Sequence, residues 1–146
     1  EMRGGTANCI TIISDRKISS PIISKFDTAI ILNQPSMDKF VDKLKPGGIL
    51  LYESGNIFKP STRSDIEIIG IPATTEANKL KNSKIMNMIM LGAYLQLKPV
   101  VKKESILEAL KKVLPEKYHY LIPLNSEALE LGESLVMQLK GQPALY

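Results

Sequence analysis

Hydrophobic positions fall into two regimes along the chain. In the first half, short Ile, Leu and Val runs are set off by polar or Gly- and Pro-containing stretches, at residues 7–14 (ANCITIIS), 28–33 (TAIILN), 49–53 (ILLYE) and 66–71 (IEIIGI). Runs of this length, bounded in this way, predict strands, and three of the four are apolar at nearly every residue, as strands buried on both faces are. Between the second and third runs Met37, Phe40, Val41 and Leu44 recur at helical spacing behind Ser36, which is expected to cap that helix. Pro46-Gly47-Gly48 is expected to end it and turn the chain into the next strand. Strand, helix and strand in this order make a βαβ unit with a right-handed crossover.

The second half reads as helical. A helix is expected over 74–82 after Pro72, and another over 85–97, whose apolar residues nearly encircle the axis. A helix apolar all round is a buried one, so 85–97 is expected at the centre of the fold. Pro99 stops it, 103–114 carries an apolar stripe of Ile106, Leu107, Leu110, Val113 and Leu114, and 126–140 forms the last helix beyond Pro115. Buried strands alternating with helices predict an α/β fold, a three-layer α/β/α sandwich around a Rossmann-like, mostly parallel sheet. The 146 residues suit one domain over 1–146, with no internal repeat and no linker.

Composition narrows the function. With 44% hydrophobic and 23% charged residues the chain is an ordinary folded protein, and its longest uncharged apolar stretch, 85–97, is shorter than the ~20 residues of a membrane span. A single cysteine, Cys9, cannot form an internal disulfide or hold an iron–sulfur cluster, and its place in an apolar run predicts a buried, inert thiol in a reducing, cytoplasmic setting. Ala7 follows Glu1 too closely for a cleavable signal to precede the first run, while a motif ahead of Glu1 stays open. The net charge is +4, and six lysines against three glutamates over 98–117 read as a solvated helix face or as a patch for an anionic partner. Aromatics make up 5% and do not interleave with these lysines, which gives no support to nucleic-acid stacking.

Self-contained catalytic signatures are missing: there is no HExxH, GxSxG, CxxC or GxxxxGK[ST]. His119, the only histidine, has no partner at ligand spacing, and Met86, Met88 and Met90 read as core. The stretch 27–53 is similar to methyltransferases in its Leu-Lys-Pro-Gly-Gly turn, but the glycine-rich nucleotide loop and the acidic residue that such enzymes need are absent. In the opening EMRGGTANC, Gly4 and Gly5 let backbone N–H groups approach an anion and Arg3 adds a forked, permanent charge; a tight turn with a surface arginine accounts for the same residues.

Taken together, EMRGGTANC before a strand, DTAIILNQPSMDKFVDKLKPGGILLYE, the IPAT start of a helix and NMIMLGAYLQL resemble the γ subunit of 2-oxoacid:ferredoxin oxidoreductases, the 2-oxoglutarate type in particular, from Glu1 to about Val136. The resemblance implies one component of a complex that converts a 2-oxoacid and coenzyme A to acyl-CoA, CO2 and reduced ferredoxin, inactive alone. Thiamine diphosphate would be held by the α and β subunits and iron–sulfur clusters outside the γ part, so this chain alone would bind no cofactor. A ferredoxin-like δ subunit is a further candidate partner, and ferredoxin the acceptor. Arg3, Gly4 and Gly5 would face the partners near the active site and contact an anion such as a coenzyme A phosphate. Asn33 and Gln34, at a strand's C-terminal end, are secondary candidates for that contact. Met2-Arg3-Gly4-Gly5-Thr6-Ala7-Asn8 favours 2-oxoglutarate over pyruvate.

Two departures accompany the resemblance. The family's first βα unit, with its glycine-rich turn, would lie upstream of Glu1, and Lys81-Asn82 stands where the family often has Gly-Asn, which puts the left-handed turn there in question. A domain lacking that unit is expected to expose apolar surface and to self-associate, as a homodimer for example. The rival readings are a stand-alone methyltransferase-like nucleotide-binding domain and a purely structural assembly module.

Overall fold

The computed structural model describes residues 6–20 and 22–141. Three parallel strands, β1 (Phe26–Ile31), β2 (Leu44–Glu53) and β3 (Glu67–Ile71), form a sheet in the order β1-β2-β3. Five helices accompany it: α1 (Gln34–Phe40), α2 (Ala73–Lys79), α3 (Met86–Leu97), α4 (Lys103–Val113) and α5 (Ile122–Leu139). Alternate residues of each strand face opposite layers. Ile31, Leu50 and the half-buried Tyr52 and Ile68 pack with Met37, Phe40 and Val41 on the α1 side, while Leu51, Ile69 and Ile71 pack with α2, α3 and α5. The sheet is therefore covered on both faces, as its continuous apolar runs require.

α3 is central. Met88, Ile89, Met90, Ala93 and Leu95 are all buried, and its closest neighbour is α5. The two helices cross through a pair of glycines: a Cβ on Gly92 would lie 2.0 Å from the Leu129 carbonyl oxygen, and a Cβ on Gly132 would lie 2.0 Å from that of Ile89. No other residue type fits at either place. α4 is amphipathic and has no fully buried residue, so it lies on the surface over this pair.

Several local expectations need correction. Residues 7–14 form no strand; Cys9, Ile10 and Ile13 are exposed, and so is the thiol expected to be buried. A strand exists only through its ladder, and among the described residues neither outer edge of the sheet pairs with this segment. Asn33, not Ser36, caps α1, its Oδ1 accepting the Ser36 N–H at 2.9 Å. Pro46-Gly47-Gly48 does not precede β2 but lies inside it. The pairing passes from Phe26 with Leu44 to Thr28 with Ile49, so β2 advances five residues while β1 advances two, and Gly47 absorbs the irregularity at φ +76°. α5 begins at Ile122 rather than Ser126 because Pro123 is accommodated in the first turn, where its missing N–H has no intrahelical partner to lose. Lys81 adopts the left-handed turn, φ 54°, in spite of its side chain, and its N–H donates to the Asn78 carbonyl at 2.9 Å.

Arg63 ties the loop after β2 to the layer below. Its Nη1 donates to the carbonyls of Val41 (2.8 Å) and Leu44 (3.0 Å), while Nε and Nη2 hold Asp65 at 2.9 and 2.7 Å. This bidentate hydrogen bonding keeps the Asp65 carboxyl below its ordinary pKa of 3.8. A carboxyl lowered in the folded state adds stability that is present above the unfolded value and is lost as pH falls through the folded one. Asp65→Asn is therefore expected to lower the urea midpoint slightly near neutral pH. The gap to wild type should close as the pH falls below 3.8, and a gap of constant size from neutral to acid pH would show that the pair contributes nothing.

Candidate functional site

Because the strands are parallel and consecutive, all three C-terminal ends reach one edge, the edge at which open α/β sheets gather ligands. β1 delivers Asn33 and Gln34, β2 delivers Glu53 and the turn after it, and β3 delivers Thr74 at the start of α2. Asn33 is occupied as the α1 cap. The Gln34 amide reads the backbone of Lys59 at two points, with Nε2 donating to the carbonyl at 3.0 Å and Oε1 accepting the N–H at 2.9 Å, and Nε2 also donates to Asp38 Oδ1 at 2.8 Å. It therefore pins the loop following β2 to the start of α1.

Glu53 is the chemically distinctive group at this edge. It is fully buried; Oε1 accepts the Thr74 N–H at 3.1 Å, and Oε2 has no hydrogen-bond partner among the described residues. Gly55 closes over the carboxylate, so that a Cβ there would sit 3.2 and 3.3 Å from the two oxygens. The Ser54 N–H donates to the Ile71 carbonyl at 2.9 Å and Asn56 Nδ2 donates to Thr74 Oγ1 at 3.2 Å, which fastens the turn to the β3–α2 junction.

Arg3, Gly4 and Gly5 lie outside the described residues. The nearest described neighbour, Thr6, accepts from Lys39 Nζ at 2.8 Å and so lies against the last turn of α1, the helix that Asn33 and Gln34 begin. Reading the sequence passed over Thr74 and Lys59, and its expectation that no acidic residue follows the second strand needs correction, because Glu53 closes β2. The available signal for Glu53 was a charged residue closing an apolar run directly before Ser54-Gly55-Asn56.

The remaining candidates are structural. His119 Nε2 lies 2.9 Å from the Leu114 carbonyl. In the lysine-rich stretch, Lys103 pairs with Glu130 at 2.8 Å, which raises the lysine's pKa, and Lys111 pairs with Glu108 at 3.1 Å. No group of three or more His, Cys, Asp or Glu able to hold a metal occurs among the described residues, and none of their helices is long and apolar enough to cross a membrane. A lone Cys9 does not fit an iron–sulfur cluster.

Comparison with known proteins decides the family. The pyruvate ferredoxin/flavodoxin oxidoreductase family model matches residues 1–135. The chain belongs to that family. It is 35% identical over 133 residues to ketoisovalerate oxidoreductase subunit VorA of Methanothermobacter thermautotrophicus, a match covering 90% of this chain and 27% of that protein. The chain thus spans about a quarter of that relative's length. The γ subunit of a keto/oxoacid ferredoxin oxidoreductase from Geobacter sulfurreducens superposes with a TM-score of 0.65 at 27% identity, covering 77% of this chain and 64% of that one. The 2-oxoglutarate:ferredoxin oxidoreductase of Magnetococcus marinus, solved with 2-oxoglutarate, coenzyme A and succinyl-CoA bound, superposes with a TM-score of 0.71 at 27% identity, covering 82% of this chain and 21% of that one. Family and α/β fold therefore agree with the resemblance read from the sequence.

Proposed function

We propose that this chain is the γ component of a cytoplasmic, multi-subunit 2-oxoacid:ferredoxin oxidoreductase, which converts a 2-oxoacid and coenzyme A to acyl-CoA, CO2 and reduced ferredoxin. The observation that carries this reading is the family match over residues 1–135. On this reading thiamine diphosphate and the iron–sulfur clusters sit in partner subunits. Its own contribution is to shape the interface with the α and β subunits, with Arg3, Gly4, Gly5, Asn33 and Gln34 lying toward an anionic group of coenzyme A or of a partner. The Gln34 clamp on Lys59 would keep that side of the sheet edge rigid.

The substrate proposed is 2-oxoglutarate, supported by the Met2–Asn8 motif and by the M. marinus enzyme. The VorA relative favours a branched-chain 2-oxoacid, ketoisovalerate, as the second reading. Purification of the tagged chain from its native cells tests both. Thiamine- and cluster-bearing subunits are expected to co-purify, and ferredoxin reduction should require coenzyme A and proceed faster with 2-oxoglutarate than with ketoisovalerate. The reverse preference would reassign the substrate. A lone chain that binds S-adenosylmethionine would overturn the whole reading.

A further inference from the structure

Glu53 poses a problem that the fold does not solve. A fully buried carboxylate needs a hydrogen-bond donor for each oxygen, yet among the described residues only Oε1 has one, the Thr74 N–H. One oxygen is enough to serve the start of α2, so the second is not explained by that contact. Its cover is the single turn Ser54-Gly55-Asn56, whose three residues are exposed and which is held by two hydrogen bonds, the Ser54 N–H to the Ile71 carbonyl and Asn56 Nδ2 to Thr74 Oγ1. Moving this turn aside would open Oε2 to solvent at the ligand-gathering edge of the sheet.

The position is also informative. Glu53 ends the second strand of a βαβ unit and lies twenty residues after Asn33, which begins the intervening helix. Nucleotide-binding βαβ units use an acidic residue at about this distance to take a ribose hydroxyl. The β1–α1 turn, Leu32-Asn33-Gln34-Pro35, has no glycine to let a pyrophosphate approach its backbone closely, so of a nucleotide's groups the sugar is the one that Glu53 is placed to take.

We infer that Glu53 is a ribose-recognition residue: its free Oε2 accepts a sugar hydroxyl of a ribosyl ligand that enters beneath the Ser54-Gly55-Asn56 turn. A 2′-hydroxyl is offered both by a free nucleoside and by the ribose of coenzyme A, whose 3′-oxygen carries a phosphate. The 146-residue chain, carboxyl-labelled with 13C at glutamate, is titrated with adenosine, 2′-deoxyadenosine, 3′-deoxyadenosine and coenzyme A. Adenosine or coenzyme A is expected to move the Glu53 signal, which is assigned with Glu53→Gln. Loss of one hydroxyl should weaken nucleoside binding by about ten- to a hundredfold, the effect of one hydrogen bond to a charged group. A response to coenzyme A alone makes the coenzyme the source of the ribose; a response to adenosine as well makes the nucleoside sufficient. Folded Glu53→Gln should lose the discrimination between adenosine and its deoxy analogues. Should that variant not fold, the loss of one labelled signal in Glu53→Asp gives the assignment and the wild-type titration decides. An unmoved Glu53 signal with both adenosine and coenzyme A, or measurable binding of adenosine that both deoxy analogues match, overturns the inference. No partner subunit is needed, so a chain that assembles as proposed above yet fails this test fails here alone.

Discussion

Gly92→Ala is expected to lower the free energy of unfolding by at least about 3 kcal/mol, in spite of a helix propensity that favours alanine over glycine by ~1 kcal/mol. The reason is the backbone of α5. A methyl group at residue 92 would fall 2.0 Å from the Leu129 carbonyl oxygen and 2.7 Å from its carbon, and neither atom can rotate away as a side chain would. The helices must then separate, and the whole buried row from Ile89 to Leu95 loses close packing. Gly132→Ala meets the Ile89 carbonyl in the same manner and should cost a similar amount. Once the helices have been spread by one alanine the second adds little, so the double variant should lose less than the two single losses together. Equilibrium urea denaturation reads all three. A midpoint raised by either alanine would mean that the helices do not cross through these glycines.

Leu129→Ala tests the same crossing from the opposite direction, by removing material. Leu129 is fully buried against the α3 layer, and truncating it should cost about 2–5 kcal/mol, the range for a large aliphatic side chain that leaves a cavity. The denaturant slope should stay unchanged, because the surface exposed on unfolding is nearly the same. Leu129→Met conserves volume and should lose less than about 1.5 kcal/mol. If alanine and methionine cost the same, the site is not close-packed.

What was legible in the sequence follows from how locally each feature is determined. Met88, Ile89, Met90 and Leu95 announce a buried helix because no polar face interrupts them, and α3 is buried accordingly. The β2 and β3 runs are equally plain, since strands covered on both faces carry apolar residues at consecutive positions. Residues 7–14 share that signature but lack a ladder, and hydrogen-bond partnership is a property of the rest of the chain that no run of residues encodes. Asn33 and Ser36 are both good caps; the geometry of the preceding strand, with Pro35 placed in the first turn, selected Asn33. At the carboxyl edge, Gln34 was found because it follows a strand. Its pairing with Lys59, 25 residues away, and the burial of Glu53 beneath Gly55 arise from a loop whose path is set by tertiary contacts.

The strand order carries a consequence for how this chain finds its structure. Every strand lies beside its neighbour in sequence, so each parallel pairing closes a loop that is short for a parallel sheet, one through α1 and the other through the segment after Glu53 that Gln34 and Arg63 hold down. The entropy of closing a loop rises with its length, and sheets built from distant segments assemble slowly. Residues 26–71 can therefore collapse into a templating half whose Leu51, Ile69 and Ile71 form an apolar floor. The glycine-to-backbone crossing of α3 and α5 spans about forty residues and can lock only once that floor exists, which makes the helical half the later and more conditional part of the molecule.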